Sequence, residues 1–156
     1  MSQQTSDDVA LFFDFENISI SLRNQDAKPN FKKIMSWFSR FGRIVLARAY
    51  ADWNAHNVFL TPLQASGFDP IFVTTYFIHN NGSTMVKNAV DMQIAVEATA
   101  VSCNYANIKT FGLLTGDKDY LPLVHHLRRL GKKVVVLAVQ DSAAVVLKQG
   151  ADVFCV

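Results

Sequence analysis

Short apolar segments alternate along the chain with segments in which apolar residues recur at the spacing of a helix. The apolar segments are typical of strands buried on both faces, because each is a short and nearly continuous apolar run. A β-α alternation of this kind favours a parallel sheet that is covered by helices on both faces. The predicted strands are 9–13, 43–53, 68–75, 108–114, 133–139 and an edge strand at 153–156.

The helical segments lie between these strands and are the predicted cover of the sheet. Residues 19–30 and 76–85 are polar, and both are predicted to be loops. The sequence therefore predicts an α/β fold, a single-domain three-layer α/β/α sandwich with a central parallel sheet. The predicted helices are 31–41, 54–66, 86–101, 121–130 and 141–149, the last of them capped by Asp141.

Composition is that of a folded chain of one domain, with 156 residues of which half are hydrophobic and 18% charged. No apolar run is long enough to span a bilayer. Residues 1–8 are polar and acidic, and we expect a disordered tail ahead of a domain at 9–156. Cys103 and Cys155 form neither a disulfide framework nor a metal-ligand pair, so we expect a reducing, cytoplasmic setting. The net charge of +2 permits a nucleic-acid partner without arguing for one.

One segment, residues 108–123, combines a buried strand, a tight turn and the start of a helix. Gly116 permits the turn, and Pro122 suits the first turn of a helix, where its missing N–H is not needed. Asp117 and Asp119 lie between them, just past the carboxyl end of the strand, where open α/β sheets bind ligands. One carboxylate is enough to cap the helix. The simplest explanation of the second is a divalent cation.

Further acids are expected near the same edge of the sheet. Asp14 ends the first predicted strand, and Asp91 lies on the apolar stripe of a predicted helix, where an unpaired charge is costly. Asp91 either forms a surface pair with Lys87, one turn earlier, or points at the strand ends beside Asp14. The other acids at that edge favour the second interpretation. Asp52 also ends a strand, and we predict that it lies outside the core site.

Clustered carboxylates repel one another, so a group of acids at one edge needs cations to hold it together. Carboxylate and water ligands suit Mg²⁺ or Mn²⁺ and not zinc, and the sequence has no Cys or His cluster that competes for the role. A cation held in this way keeps open positions for water and phosphate oxygens. These residues therefore predict hydrolysis of a phosphate ester by water activated at the metal.

Three segments form a series in the chain: Asp14-Phe15-Glu16-Asn17, then Lys87-Asn88-Ala89-Val90-Asp91, then Thr115-Gly116-Asp117-Lys118-Asp119-Tyr120 with Pro122. In this order they resemble the three motifs of NYN domains, and more narrowly those of the LabA-like branch. NYN domains belong to the PIN-like, FEN-related nuclease superfamily. The resemblance covers roughly residues 9–139.

The resemblance implies a PIN-like sheet of order 3-2-1-4-5 and cleavage of RNA with Mg²⁺ or Mn²⁺ as cofactor. Two positions depart from the family, because Glu16 stands where many relatives have a small residue and Tyr120 replaces a frequent Phe. A helix cap for Asp119 and a turn-forming role for Asn17 remain alternative interpretations. Carried over residue by residue, the catalytic and metal-binding acids are Asp14, Asp91, Asp117 and Asp119, supported by Asn17, Thr115 and Lys87.

The predicted loop at 76–85 is the best candidate for substrate binding, because unpaired bases stack on aromatic rings. A plain surface loop is the alternative. Basic residues at 28–43 and at 128–133 offer two positive faces, although a run of charge is usually solvated surface. Trp53 is either a base-stacking residue or a core anchor. The predicted substrate contacts are Tyr76, Phe77, His79, Asn80 and Asn81.

The predicted function is that of a metal-dependent ribonuclease acting on single-stranded or structured RNA. We expect no membrane partner, and the sequence leaves the oligomeric state open, a homo-oligomer included. The alternative is a non-catalytic NYN-type module that binds RNA or a protein, although such a module gains little from acids that repel phosphates. A haloacid-dehalogenase-like phosphatase is set aside, because that class has a second Asp where this chain has Glu16.

Overall fold

A computed structural model describes residues 7–139 and 145–155 of the chain. Its strands and helices follow the predicted alternation, with one helix and one hairpin added to it. The strands are β1 (Asp8–Asp14), β2 (Arg43–Ala51), β3 (Asp69–Phe72), β4 (Thr75–Asn80), β5 (Ser83–Asn88), β6 (Ile108–Leu114), β7 (Lys133–Leu137) and β8 (Val153–Cys155). The helices are α1 (Phe15–Arg23), α2 (Phe31–Phe38), α3 (Leu60–Ala65), α4 (Val90–Asn104), α5 (Leu121–Arg129) and α6 (Val145–Gly150), with 3₁₀ turns at Ser39–Phe41, Asn57–Phe59 and Lys118–Tyr120.

Within the described residues, the main sheet has six parallel strands in the order β3-β2-β1-β6-β7-β8. Counted along the chain without the hairpin, this order is the predicted 3-2-1-4-5 with β8 added at the edge, which confirms the predicted topology. β4 and β5 form a separate antiparallel hairpin. The order reverses between β1 and β6, so the carboxyl ends of these two neighbours form the crevice where open α/β sheets bind ligands.

Two apolar layers hold the helices against the sheet, because successive residues of a strand point to opposite faces. Phe12 of β1 packs with Tyr50 in the layer beneath α4 and α5. Phe13, the next residue, packs with Phe15 in the opposite layer, which α1, α2 and α3 cover. All four rings are buried, and each such burial contributes about 1.5–3 kcal/mol relative to exposure. β1 is therefore fixed from both sides at the centre of the sheet.

Helix α1 corrects the prediction of a loop at 19–30. It begins directly after β1 because the side chain of Asp14 caps it, accepting a hydrogen bond from the backbone N–H of Asn17 at 3.4 Å. Ile18 and Leu22, four residues apart, pack into the layer below. Apart from the exposed Ile20, the residues that point away from the sheet are polar, so the segment has the composition of a loop although its short inner stripe is apolar.

The hairpin of β4 and β5 corrects the prediction of a long loop at 76–85. At its turn, Asn81 and Gly82 have φ angles of 51° and 80°, and a two-residue turn of type I′ requires positive values at both positions. An Asn-Gly pair between alternating residues is a strong hairpin signal, and it is present in the sequence. Residues 86–88, predicted as the start of the helix 86–101, belong to β5 instead, so α4 begins at Val90.

Trp53 is a core anchor and not a base-stacking surface. Its ring is fully buried and lies 4.7 Å from the ring of Phe15, centroid to centroid. Its Nε1 donates a hydrogen bond to the backbone carbonyl of Ala49 at 3.0 Å, so the polar group of the indole is satisfied inside the core.

Several predictions fall at the limits of the described residues. Asp141, predicted to cap the last helix, lies outside them, as do residues 1–6 of the predicted tail, and α6 begins at Val145. β1 begins at Asp8, one residue before the predicted domain start. None of the helices in the described part of the chain is long and apolar enough to cross a membrane.

Candidate acidic site

The candidate site is built where β1 and β6 end side by side. Phe13 of β1 is paired with Leu114 of β6, so the residues that follow each of them leave the sheet at the same edge. Asp14 follows on the first strand, and residues 115–117 follow on the second. Parallel pairing alone therefore brings these two acidic loops together.

Asp14 is a buried carboxyl group with 8% of its surface exposed. Its Oδ1 accepts the backbone N–H of Asn17 at 3.4 Å, and its Oδ2 accepts the hydroxyl of Tyr120 at 3.0 Å. Burial raises the pKa of Asp14 to about 6, with the two hydrogen bonds opposing the rise and the negative charges of Glu16 and Asp117 adding to it. At neutral pH the group is ionised in surroundings that disfavour its charge, a condition that a bound cation relieves.

Asn17 joins the two acidic loops. Its side-chain Oδ1 accepts the backbone N–H of Gly116 at 2.9 Å, while its own backbone N–H donates to Asp14. Thr115 is buried, and its Oγ1 accepts the backbone N–H of Asp117 at 3.2 Å. Both residues, predicted as polar support, thus hold the backbone on either side of the crevice.

Asp117 caps the turn that leads into α5. Its Oδ1 accepts the backbone N–H of Asp119 at 2.9 Å, and the residue is half-buried. Asp119 lies within that turn and is exposed. The alternative in which Asp119 caps the helix is therefore wrong, because Asp117 caps the turn and the N-cap residue of α5 is Tyr120, whose side chain makes no capping hydrogen bond.

Tyr120 belongs to the site, although its residue type alone does not single it out. Its buried hydroxyl donates to Asp14, and the pKa of this hydroxyl is raised far above its ordinary value. Burial is the main cause of the rise, followed by Asp14 itself and then by the negative charges of Asp91 and Asp117. Three carboxylates therefore act on one hydroxyl group. The signal for this residue in the sequence is its place in the third motif, where the resemblance implies a Phe.

Asp91 lies in the first turn of α4 and is exposed, which corrects the prediction that it lies on the buried stripe of that helix. Its Oδ1 accepts the backbone N–H of Met92 at 2.8 Å, so the carboxylate turns back onto the start of the helix. Its negative charge nevertheless acts on the Tyr120 hydroxyl. The side chain of Lys87, the alternative partner, lies outside the described residues.

Glu16 fastens the start of α1 to the end of β2. Its Oε1 accepts the backbone N–H of Asp52 at 3.4 Å and lies 3.4 Å from the Nε2 atom of His56. Its charge also contributes to the raised pKa of Asp14. Glu16, where the resemblance implies a small side chain, therefore has a structural role beside the acids.

Among the predicted substrate contacts whose side chains the structure describes, Tyr76 presents an exposed aromatic ring. Tyr76 is 58% exposed, whereas His79 contacts the opposite strand, its Nδ1 lying 3.3 Å from a threonine hydroxyl. Because side chains alternate along a strand, Tyr76 and His79 lie on opposite faces of the hairpin and do not contact the same base. Asn80 and Asn81 lie at the turn. The side chain of Phe77 lies outside the described residues.

The donor atoms at this edge are oxygens, the type that Mg²⁺ and Mn²⁺ prefer. In residues 7–139 and 145–155, no three Asp, Glu, His or Cys side chains are gathered closely enough to enclose a metal ion as they stand. Mg²⁺ does not need such an enclosure, because one or two carboxylates hold it while water and substrate phosphate complete its shell. Asp14 and Asp117, whose negative charges repel each other, are the candidates for such a pair.

The chain is similar to known proteins in sequence and in fold. A model of the NYN domain matches residues 8–156. An uncharacterised protein of Methanocaldococcus jannaschii is 29% identical over 144 residues, which are 92% of this chain and 52% of that protein, so this chain spans about half the length of that relative. A solved structure of a protein of unknown function from Vibrio parahaemolyticus has a TM-score of 0.83 at 22% identity, over 99% of this chain and 95% of that one, and shares the fold.

Proposed function

This chain belongs to the NYN domain family of the PIN-like nuclease superfamily, and we propose that it hydrolyses RNA phosphodiester bonds at its acidic edge with the help of Mg²⁺ or Mn²⁺. The family suggests interaction with nucleic acid, and the crevice between β1 and β6 supplies the groups for hydrolysis. The LabA-like motifs noted in the sequence are consistent with this assignment but do not by themselves fix a substrate.

The observation that carries the proposal is the environment of Asp14. Its buried carboxyl group has a pKa raised to about 6 by burial and by neighbouring negative charge, at the ligand-binding edge of the sheet. A strongly perturbed carboxyl group in such a crevice marks a candidate functional site. A structural cap would need neither the burial nor the neighbouring acids.

We assign the binding of the cation and the positioning of its ligands to different residues of the site. Asp14 and Asp117 would hold the cation, and Asp91 and Asp119 would add negative charge around it. When bound, the cation supplies neutralisation of the phosphate charge and a water of lowered pKa. The Tyr120 hydroxyl keeps one carboxylate oxygen of Asp14 in a fixed position. We propose that the nucleophile is water and not the RNA 2′-hydroxyl, so the products carry 5′-phosphate and 3′-hydroxyl ends.

The alternative function is a non-catalytic module that binds RNA or a protein. The exposure of Asp91 and Asp119 favours it, since exposed carboxylates are often plain surface charge. Against it stands Asp14, because a binding module gains nothing from an ionised carboxylate that its own fold disfavours.

The test is incubation of the purified protein with end-labelled single-stranded RNA in Mg²⁺, in Mn²⁺ and in EDTA. We expect cleavage with either metal, no cleavage in EDTA and products with 5′-phosphate ends. Cleavage that persists in EDTA, or 2′,3′-cyclic phosphate ends, would contradict the mechanism. Binding of RNA without any cleavage and without uptake of a metal ion would favour the alternative function.

Asp117→Asn is the matched variant for this assay, because it removes one charge while keeping the shape of the side chain. Turnover should fall by several orders of magnitude, since the lost interaction acts chiefly on the transition state. RNA binding should survive and become slightly tighter, because one negative charge facing the phosphates is gone. Fluorescence anisotropy with labelled RNA measures the second effect separately from cleavage.

A further inference from the structure

A cavity of about 330 Å³ opens beside the acidic edge, on the side of the sheet that α1 and α2 cover. It is lined by Ile18 of α1, by the loop that follows α1, by the first turn of α2 and by the last residues of β6 and β7. Ile18 lies one helical turn after Asp14, and Leu114 in the cavity wall directly precedes the loop that carries Asp117. The cavity is therefore a direct neighbour of the candidate site and not a separate surface feature.

The wall of the cavity divides into an apolar interior and a polar rim. Leu114, Val139 and Ile18 are buried, and they supply the interior. Lys28 and Lys33 are exposed and supply two positive charges at the rim. Among the described residues that line the cavity, none is acidic. A pocket with a positively charged rim therefore lies beside the acidic edge.

The rim also has two side-chain amides, those of Gln25 and Asn30. An amide offers both donor and acceptor groups, which match the mixed hydrogen-bonding edge of a nucleobase. Asn30 uses its Oδ1 to cap α2, accepting the backbone N–H of Lys33 at 3.1 Å, so its NH₂ group is the part that suits a ligand acceptor. An aliphatic ligand would make no use of these groups.

We infer that this cavity binds one unpaired nucleobase of the RNA strand, with Lys28 and Lys33 contacting the phosphates that flank it. The inference rests on the proposed function in one respect, namely that the strand lies along the acidic edge. The size of the cavity is within the range of small-molecule pockets, and its apolar interior suits the flat face of a base. The two lysines offset the repulsion between the phosphates and the acids.

The experiment measures RNA binding and not cleavage, by fluorescence anisotropy in Mg²⁺ with the full chain bearing Asp117→Asn. Lys33→Ala removes a rim charge, and Lys32→Ala is its matched control, because Lys32 is the exposed neighbour on the same helix and does not line this cavity. We expect Lys33→Ala to weaken binding about fivefold more than Lys32→Ala. A series of RNAs with one abasic position each should show a loss of about fivefold or more at one position.

Ile34→Trp fills the cavity from α2 and tests the interior. This variant and the critical abasic position should each weaken binding, and their combination should weaken it little more than either alone, because both remove the same contact. If Ile34→Trp fails to fold, the abasic series measured on the protein without this substitution still tests the interior of the cavity. Equal effects of Lys32→Ala and Lys33→Ala, together with a flat abasic series, would overturn the inference.

Two further outcomes separate the cavity from the proposed function. If the unmodified protein binds RNA with this base dependence but cleaves nothing, the cavity stands and the hydrolysis proposal fails. If it cleaves RNA with no base dependence, the hydrolysis proposal stands and the cavity inference fails. Binding of a nucleoside monophosphate that Ile34→Trp abolishes, with RNA binding unaffected, would make the cavity a mononucleotide site and overturn its place on the RNA path.

Discussion

The side-chain Oδ1 of Asn17 accepts a hydrogen bond from the backbone N–H of Gly116 at 2.9 Å, across 99 positions of sequence. The contact joins the first turn of α1 to the acidic loop that follows β6. At the opposite edge of the same two strands, Asn107 donates its Nδ2–H to Asp8 at 2.8 Å. β1 and β6 are thus fastened at both ends, by one side-chain contact within the candidate site and one far from it.

Asn17→Ala should lower the rate of RNA cleavage more than it lowers stability. A small displacement of a catalytic group is costly, so we expect kcat to fall by about tenfold or more with KM little changed. The free energy of unfolding should fall by about 1 kcal/mol for the lost hydrogen bond. Asn107→Ala is the control, expected to lose similar stability with cleavage unchanged. Equal kinetic effects of the two variants would remove Asn17 from the site.

Asp14→Asn should remove a pH dependence of stability when no metal is present. The pKa of Asp14 is raised from 3.8 to about 6 in the folded state, so its contribution to stability is full below the lower value and is lost as the pH rises through the higher one. In EDTA, the unfolding free energy of the unmodified protein should fall by on the order of 2 kcal/mol between about pH 4 and 7. Urea denaturation should show a much smaller fall for Asp14→Asn, since Asn also caps helices well. A variant clearly less stable at the upper pH would identify Asp14 as a structural cap.

Tyr120→Phe should move the acidic limb of the cleavage profile to higher pH. The Tyr120 hydroxyl lowers the pKa of Asp14 by hydrogen bonding, so its removal raises that pKa further above its ordinary value. Less of the carboxyl group is then ionised at a given acidic pH. Tyr50→Phe is the control, because the buried Tyr50 hydroxyl donates to Glu97 at 2.8 Å instead. The measurement is the RNA cleavage rate across the pH range at fixed Mg²⁺. Superimposable pH profiles for the two variants would contradict the role of Tyr120.

Asp119→Asn should separate a role in cleavage from a role in folding. The turn that Asp119 occupies is capped by Asp117, so the melting temperature should be unchanged. Cleavage should fall if the carboxylate adds charge around the cation, and raising the Mg²⁺ concentration should restore part of the rate. Asp69→Asn, at the exposed start of β3, is the control for loss of one surface charge. Unchanged cleavage at low Mg²⁺ would exclude Asp119 from the metal-binding set.

Tyr76→Ala should weaken the binding of unpaired RNA more than that of duplex RNA. Its ring is an exposed aromatic group on the hairpin, and the loss of one stacked base costs about 1–3 kcal/mol. Tyr105→Ala is the control, since Tyr105 is also exposed but follows the far end of α4. Anisotropy with single-stranded and duplex RNA gives both affinities. Equal losses on both substrates would remove the hairpin from the RNA path.

The α/β topology and the acidic edge were predictable because each depends on local pattern. Short apolar runs that alternate with helical spacing are compatible with few arrangements other than a parallel sheet between helices. Acids at the carboxyl ends of parallel strands lie at one edge of the sheet, which predicts the same crevice for Asp14 and Asp117. The Asn81-Gly82 pair also predicts the hairpin, so the prediction of a loop at 76–85 is wrong.

The sequence by itself determined the alternation of strands and helices and the acids that follow the strand ends, and its three motifs carried the resemblance that implied the strand order and the family. Only the tertiary structure decided how deeply each acid is buried and what it contacts. Asp14 and Asp91 are the same residue type in two of the three motifs, yet one is buried against Tyr120 and the other is exposed at the start of α4. The reason is that burial and pKa depend on groups from distant parts of the chain, whereas strand and helix patterns depend on neighbours in sequence.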